Sequence, residues 1–269
     1  MNRFVIYLIA MFILSCNEER IDKPLKTTKS DLLVVEAVLT NEKMNHKIKL
    51  SHPYQELNGS DEPVSGANVA VIEANEKVYN TFESPLGSGN YYTEEMTAVF
   101  GKQYLLYIQY EEKEFFAVAG SVPVEPMPEL QYNNAGDGLY RLQLNDSGGS
   151  PNYVDYHVSW LGTPECLTGE LCEGRLVYYD LKTIDVNSLF KPDKEDFLFP
   201  VNSIVIRRKY AVSPGYKTFL RSVLSETEWR GGAFDVQREN VPTNLSKGAI
   251  GFFAVSTVLS DTTIITEKP

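Results

Sequence analysis

From Leu32 to Val122 the chain alternates apolar and polar residues with a period of two, broken at short intervals by Gly, Pro, Asn and Asp. This pattern limits the fold more than any other feature. It buries one face of an extended strand and wets the other, which a helix of 3.6 residues per turn cannot do with the same residues. The predicted strands are Leu32–Thr40, His46–His52, Ala67–Glu73, Val78–Glu83, Gly89–Thr93, Lys102–Tyr110 and Glu114–Val122. In the second of these, Ile48 and Leu50 stand opposite Lys47 and Lys49. The stretch Asn58–Pro63 reads as a polar loop, Asn75-Glu76 as a turn, and Glu111-Glu112-Lys113 as a tight link between the last two strands.

Short strands at this spacing, with no helical stretch among them, predict a mainly β protein. Residues 31–122 are expected to form a β-sandwich of immunoglobulin-like or transthyretin-like type. This stretch has no cysteine and no tryptophan, so it is not an antibody-type domain. Pro123, Pro126 and Pro128 then remove donors and stiffen the backbone, which makes residues 123–130 the expected linker. Residues 131–269 read as a second β-sandwich-like domain, with strands near Leu139–Asn145, Asn152–Leu161, Arg175–Ile184, Ser203–Ala211, Ile250–Leu259 and Thr262–Ile265. One amphipathic helix is expected at about 213–226. Ser213 supplies its cap and Pro214 its first turn, while Tyr216, Phe219, Leu220, Val223 and Leu224 form one apolar stripe.

The start of the chain has a different logic. Arg3 precedes the apolar run Phe4–Leu14, and Ser15 then leads to Cys16. The run is too short to span a hydrocarbon core, which takes about 20 residues, and it has the layout of an export signal. A small residue before cysteine is where an exported lipoprotein is cut, so residues 1–15 are expected to be the signal peptide. Cys16 is then the expected site of lipid attachment, and the polar residues 16–30 the flexible tether. An ordinary secretory signal with an incidental cysteine is the alternative reading.

Charge agrees with that placement. The chain carries 25 Lys+Arg against 36 Asp+Glu, a net charge of −11. Such a balance argues against a nucleic-acid partner and against electrostatic docking on anionic lipid. Hydrophobic residues make up 43%, with 16 Tyr and 13 Phe, so a packed core rather than disorder is expected.

Apart from Cys16, the cysteines are Cys166 and Cys172, and Gly169 between them lets the chain turn. An exported chain favours a disulfide, a local staple of about 2 kcal/mol in the chain-entropy picture. The rival reading is a metal site. His157 is the sole histidine within ten residues, and two thiolates alone bind zinc poorly.

Catalytic constellations are thin, and no catalytic, metal or cofactor residue is assigned. His46, His52 and His157 are expected in strands with surface-facing structural roles. Glu94-Glu95 and Glu111-Glu112 are adjacent pairs, which alternate faces on a strand rather than converge on a substrate. Asp193-Lys194-Glu195-Asp196 lacks the glycine and spacing of a calcium loop. Trp160, Tyr178, Tyr179, Trp229 and Phe234 could form a stacking surface for a sugar or peptide, although aromatic residues on sheets more often pack in cores. Trp229 and Phe234, in Trp229-Arg230-Gly231-Gly232-Ala233-Phe234, are the expected ligand-binding pair because the glycines imply an exposed loop.

Several phrases, in order, carry a resemblance. They are Ile13-Leu14-Ser15-Cys16, the strand phrase Leu33–Asn41, Pro63–Val69, Gly87–Tyr92, Gly101–Leu106 and the closing phrase Asn240–Phe253. Together they resemble the Bacteroidetes outer-membrane lipoprotein family described as domain of unknown function 4249, whose members are typically encoded beside TonB-dependent receptors. The resemblance implies an outer-membrane location through N-terminal acyl chains and a TonB-dependent receptor as partner. It transfers no catalytic residue. Glu18 and Glu19 resemble acidic export tags that lead to the cell surface; as plain linker charges they would leave the periplasmic face open. The expected function is non-enzymatic: an accessory protein that helps such a transporter capture a small-molecule, peptide or metal-complex ligand. The alternatives are a cell-surface adhesion or scaffold protein and, less favoured, a hydrolase.

Overall fold

The computed structural model describes residues 31–54, 61–74, 76–144, 149–167, 171–182, 197–226 and 241–267. The fold is mainly β and sandwich-like, with one helix among the described residues. The N-terminal strands are β1 (Leu33–Thr40), β2 (Lys47–His52), β3 (Glu62–Pro63), β4 (Asn68–Glu73), β5 (Lys77–Glu83), β6 (Asn90–Thr93), β7 (Gln103–Tyr110) and β8 (Lys113–Gly120). Each predicted strand of this half is present to within two residues at its ends; β3 is additional, and too short to show a period.

The C-terminal half contains β9 (Tyr132–Gly136), β10 (Leu139–Leu142), β11 (Asn152–Ser159), β12 (Glu173–Asp180), β13 (Phe199–Pro200) and β14 (Ile204–Ala211). Helix α1 (Pro214–Glu226), β15 (Ala249–Ser256) and β16 (Val258–Ile264) follow. Ser213 caps α1, its hydroxyl accepting from the Tyr216 amide at 3.4 Å.

The expected boundary at residues 123–130 is crossed by one strand. β15, from the far end of the chain, pairs parallel to β1 over its whole length, from Leu33 opposite Ala249 to Thr40 opposite Ser256. The first sheet therefore runs β15-β1-β2-β6-β5-β4-β7-β8, with β3 beside β2. It is also not built as two sheets of separate strands. β5 pairs with β4 through Lys77–Asn80 and then with β6 through Thr81–Glu83, so a single strand turns the corner between the layers.

The sheet curls until its two ends meet across the segment before β15. Leu245 bridges Ala117 of β8, and the Ser246 amide donates to the Phe116 carbonyl at 2.9 Å. Asn244 does the same for the other edge. Its amide donates to the Phe253 carbonyl at 2.8 Å and accepts from the Phe253 amide at 3.0 Å, as a strand neighbour would. Both edges are thus engaged at their middles, which shortens the open strand edge on each side. The core inside is mainly aliphatic, with Val35, Leu39, Ile48, Leu50, Val71 and Phe253 fully buried and the polar Thr93, His46 and Glu73 buried as well.

The second body stacks the sheet β13-β10-β9 against β12-β11-β14-β16. Val158, Phe199, Val205 and Ile265 are fully buried between them. The proline-rich segment is not a free spacer: Leu130 is buried in this core, and the Glu125 carboxylate accepts from Ser150 through both amide and hydroxyl at 3.0 Å. Helix α1 joins the bodies. Tyr216, Leu220 and Leu224 pack on Phe252 and Ala254, the outward side of β15, with Tyr153 and Tyr179 of the second body against the same cluster. Rings of Tyr216 and Phe219 each lie 5.2 Å from that of Phe252. Asn41 adds a clamp, accepting from the Val258 amide at 2.7 Å and donating to its carbonyl at 3.2 Å. An ion pair between Glu42 and Arg208 lies beside it.

Candidate functional site

Cys16, Trp229 and Phe234 lie outside the described residues. Cys166 and Cys172 form a disulfide with Cα atoms 5.7 Å apart, within the connection between β11 and β12. Among the described residues, no three His, Cys, Asp or Glu side chains gather as a metal site. The histidines are far from equivalent. His46 is not surface-facing as expected but 2% exposed, just before β2, and its Nε2 has no hydrogen-bond partner. The loop after β1 folds it under the sheet, where its amide donates to the Thr93 hydroxyl at 2.9 Å. Burial lowers its pKa from the ordinary value, outweighing the carbonyl of Met96 and the charge of Glu42. His157 is partly exposed and meets Glu173 at 3.1 Å, and His52 lies beside Tyr110 with centroids 6.2 Å apart.

The described members of the C-terminal aromatic set, Trp160, Tyr178 and Tyr179, do not share one surface. Trp160 stacks on Phe197 at the edge of the second core. Tyr178 and Tyr179 are neighbours on β12 and so point to opposite faces, Tyr179 toward Tyr153 at 5.7 Å.

Two other places are better organised. The first is a cleft between the proline-rich segment and the four-stranded sheet, lined by Met127, Pro128, Val154, Tyr178, Arg207 and Lys209. Arg207 makes a two-pronged contact with Asp261 of the neighbouring strand, its Nε donating at 2.8 Å. Lys209 is 1% exposed; burial lowers its pKa against the opposing pull of Glu125 and Asp180. The space left is about 30 Å³, comparable to the volume of a single water. This cleft is a polar joint within the second body.

The second place is the outer face of β5, β4, β7 and β8. Cross-strand register sets two rows there: Val78–Ile72–Leu105–Val118, and beside it Asn80–Ala70–Tyr107–Phe116. Val78, Phe116 and Val118 are each more than half exposed. Phe82, 53% exposed, continues the face along β5, its ring stacked on Tyr92 at 6.1 Å. Asn68 and Gln109 lie opposite each other in the next row, with Glu114 opposite Gln109. Glu114 brings charge to the margin of this face, and the Tyr107 hydroxyl donates to it at 2.7 Å. Among the described residues no element covers this face and Glu114 is its one charged group, which makes it the strongest candidate for a binding face.

A mainly β body closed by the phrase around Asn244 and left bare on one broad face defines the class of protein. The chain belongs to the family described as domain of unknown function (DUF4249), which matches residues 18–262. No curated protein matches the chain.

Proposed function

We propose that this chain is a non-enzymatic lipoprotein of the outer membrane, held through acyl chains on Cys16, that serves a TonB-dependent transporter as an accessory, ligand-capturing partner. The sequence supports the anchor through Arg3, the apolar run 4–14 and Ser15-Cys16, followed by a polar tether. The observation that carries the capture role is the largely uncharged face of β5, β4, β7 and β8, which no element among the described residues covers. A tether of some 15 residues holds such a face within a few tens of Å of the membrane, which raises its effective concentration near a transporter without a tight contact.

The test is co-purification of the tagged, full-length chain with membrane proteins after mild crosslinking, beside a Cys16→Ala form. Recovery of a TonB-dependent receptor with the parent, and its loss with Cys16→Ala, is the expected result. Absence of any such receptor, together with binding of the protein to other cells or matrix, would replace this reading with an adhesion role.

A further inference from the structure

The bare face constrains its occupant by size, charge and chemistry. Its four strands, about 4.8 Å apart, and its three rows at about 3.3 Å per residue span roughly 15–20 Å in each direction. That is a few hundred Å², well below the roughly 800 Å² per partner of a stable protein interface. A second copy or a folded partner would therefore gain little from it. A peptide that binds through its backbone adds to a sheet edge, and the edges of this sheet are already engaged at Phe116–Ala117 and at Phe253.

Apart from Glu114 at its margin and the Tyr107 hydroxyl that donates to it, the polar groups on the face are amides. Asn68, Asn80 and Gln109 can each donate and accept, which matches hydroxyl groups that do both. Between them stand aromatic rings: Tyr107 and Phe116 as direct cross-strand neighbours, and Phe82 with Tyr92. Phe82 on β5 lies two strands and one row from Tyr107 on β7, roughly 12 Å away, which is on the scale of a short oligosaccharide. The net charge of −11 repels acidic polymers, and the face itself offers no cation to offset that repulsion.

We infer that the outer face of β5, β4, β7 and β8 binds a neutral polysaccharide, with sugar C–H faces on Tyr107, Phe116 and Phe82 and sugar hydroxyls on the neighbouring amides. This inference rests on the capture role above and names its ligand class, but its test needs no transporter. The full mature chain is run in native gels containing dextran, amylopectin, mixed-linkage β-glucan or galactomannan, with polygalacturonate as the acidic control. Retardation by at least one neutral polymer and none by polygalacturonate is expected. Tyr107→Ala with Phe116→Ala should weaken it about tenfold or more, since each lost ring contact is worth on the order of 1 kcal/mol. A second variant, Asn80→Asp with Gln109→Glu, changes exposed amides only and should weaken binding while leaving the circular dichroism spectrum unchanged. No retardation by any of the four neutral polymers, or retardation that survives both variants, overturns the inference. So does concentration-dependent self-association of the parent that Tyr107→Ala/Phe116→Ala abolishes, which would give the face to a second copy. Receptor co-purification without glycan binding would sink this inference and leave the accessory role standing.

Discussion

The first sheet and the second body differ in the charge they bury: a carboxylate and a histidine (Glu73, His46) in the first, two cations (Arg207, Lys209) in the second. Inside the first sheet, strand after strand contributes aliphatic side chains with no exposure at all, such as Leu39, Ile48, Leu50, Leu106 and Ile108. In the second, the same face that buries Val158 and Val205 runs on into Tyr156, Arg207 and Lys209, so cations and a tyrosine share the interior with the apolar core. Buried charge contributes little net stability even when paired. The second body accordingly leans on its surroundings, through α1, the proline-rich segment and the Asn41 clamp. The first sheet has no such cover on β5, β4, β7 and β8 among the described residues, and that face stays in solvent.

This contrast is broken most severely at the splice between β1 and β15. Gly251 has φ +99°, and a Cβ there would sit 2.0 Å from the Val35 carbonyl oxygen and 3.0 Å from its nitrogen, all backbone atoms of the partner strand. Gly251→Ala is therefore expected to cost about 3 kcal/mol or more in urea denaturation. Fluorescence of Trp160, in the second body, should fall together with the sheet signal in far-ultraviolet circular dichroism. A variant within 0.5 kcal/mol of the parent would show that the splice does not hold the bodies in common.

The next effect should stay within one body. Cys166→Ser with Cys172→Ser opens a short loop between β11 and β12, and the expected cost is about 2 kcal/mol. Amide exchange should quicken in β11 and β12 and remain slow in β1, β2 and β7. Equal loss of protection in the first sheet would contradict this confinement to one body.

Which parts of this arrangement can be read in the residues follows from the same physics. The strands of the first half are visible because inward Val, Ile and Leu alternate with wetted positions. The short β3 and β13 cannot show a period, and β9 carries only Tyr132 as an inward apolar residue, so it reads as loop. β15 does announce itself. Ala-Ile-Gly-Phe-Phe-Ala-Val is apolar on both faces, which marks a strand covered on both sides. What the residues do not show is its partner, because β1 lies at the opposite end of the chain and local periodicity holds no information about it. The bare face was hidden for a related reason. Leu105, Tyr107, Phe116 and Val118 fall on the parity that should be polar, and a sequence with apolar residues on both parities reads as fully covered. Only the path of α1, which covers β1 and β15 but not β4 or β7, reveals that these stay in solvent.

The smallest effect tests the buried edge of the first sheet through pH. His46 has its pKa lowered from 6.5 by burial, so the folded protein resists a proton that the unfolded chain accepts. Stability from this group is complete above pH 6.5, where both states are neutral, and declines as pH falls from 6.5 toward the lowered folded value. Glu73 also has a lowered pKa, through Lys102 and the Tyr79 hydroxyl, but its contribution fades only below its ordinary 4.5. The two are thus separable by range. Urea denaturation between pH 7 and 5 should show the parent losing stability with falling pH, and His46→Gln losing measurably less over the same interval. His46→Gln can be less stable than the parent at pH 7, since it places an amide in a site with an unpartnered ring nitrogen, so the readout is the slope and not the offset. Parallel slopes for parent and variant would mean that His46 titrates as an exposed histidine does. The loop after β1 would then be open to water, and the first sheet less sealed at this end than its core residues imply.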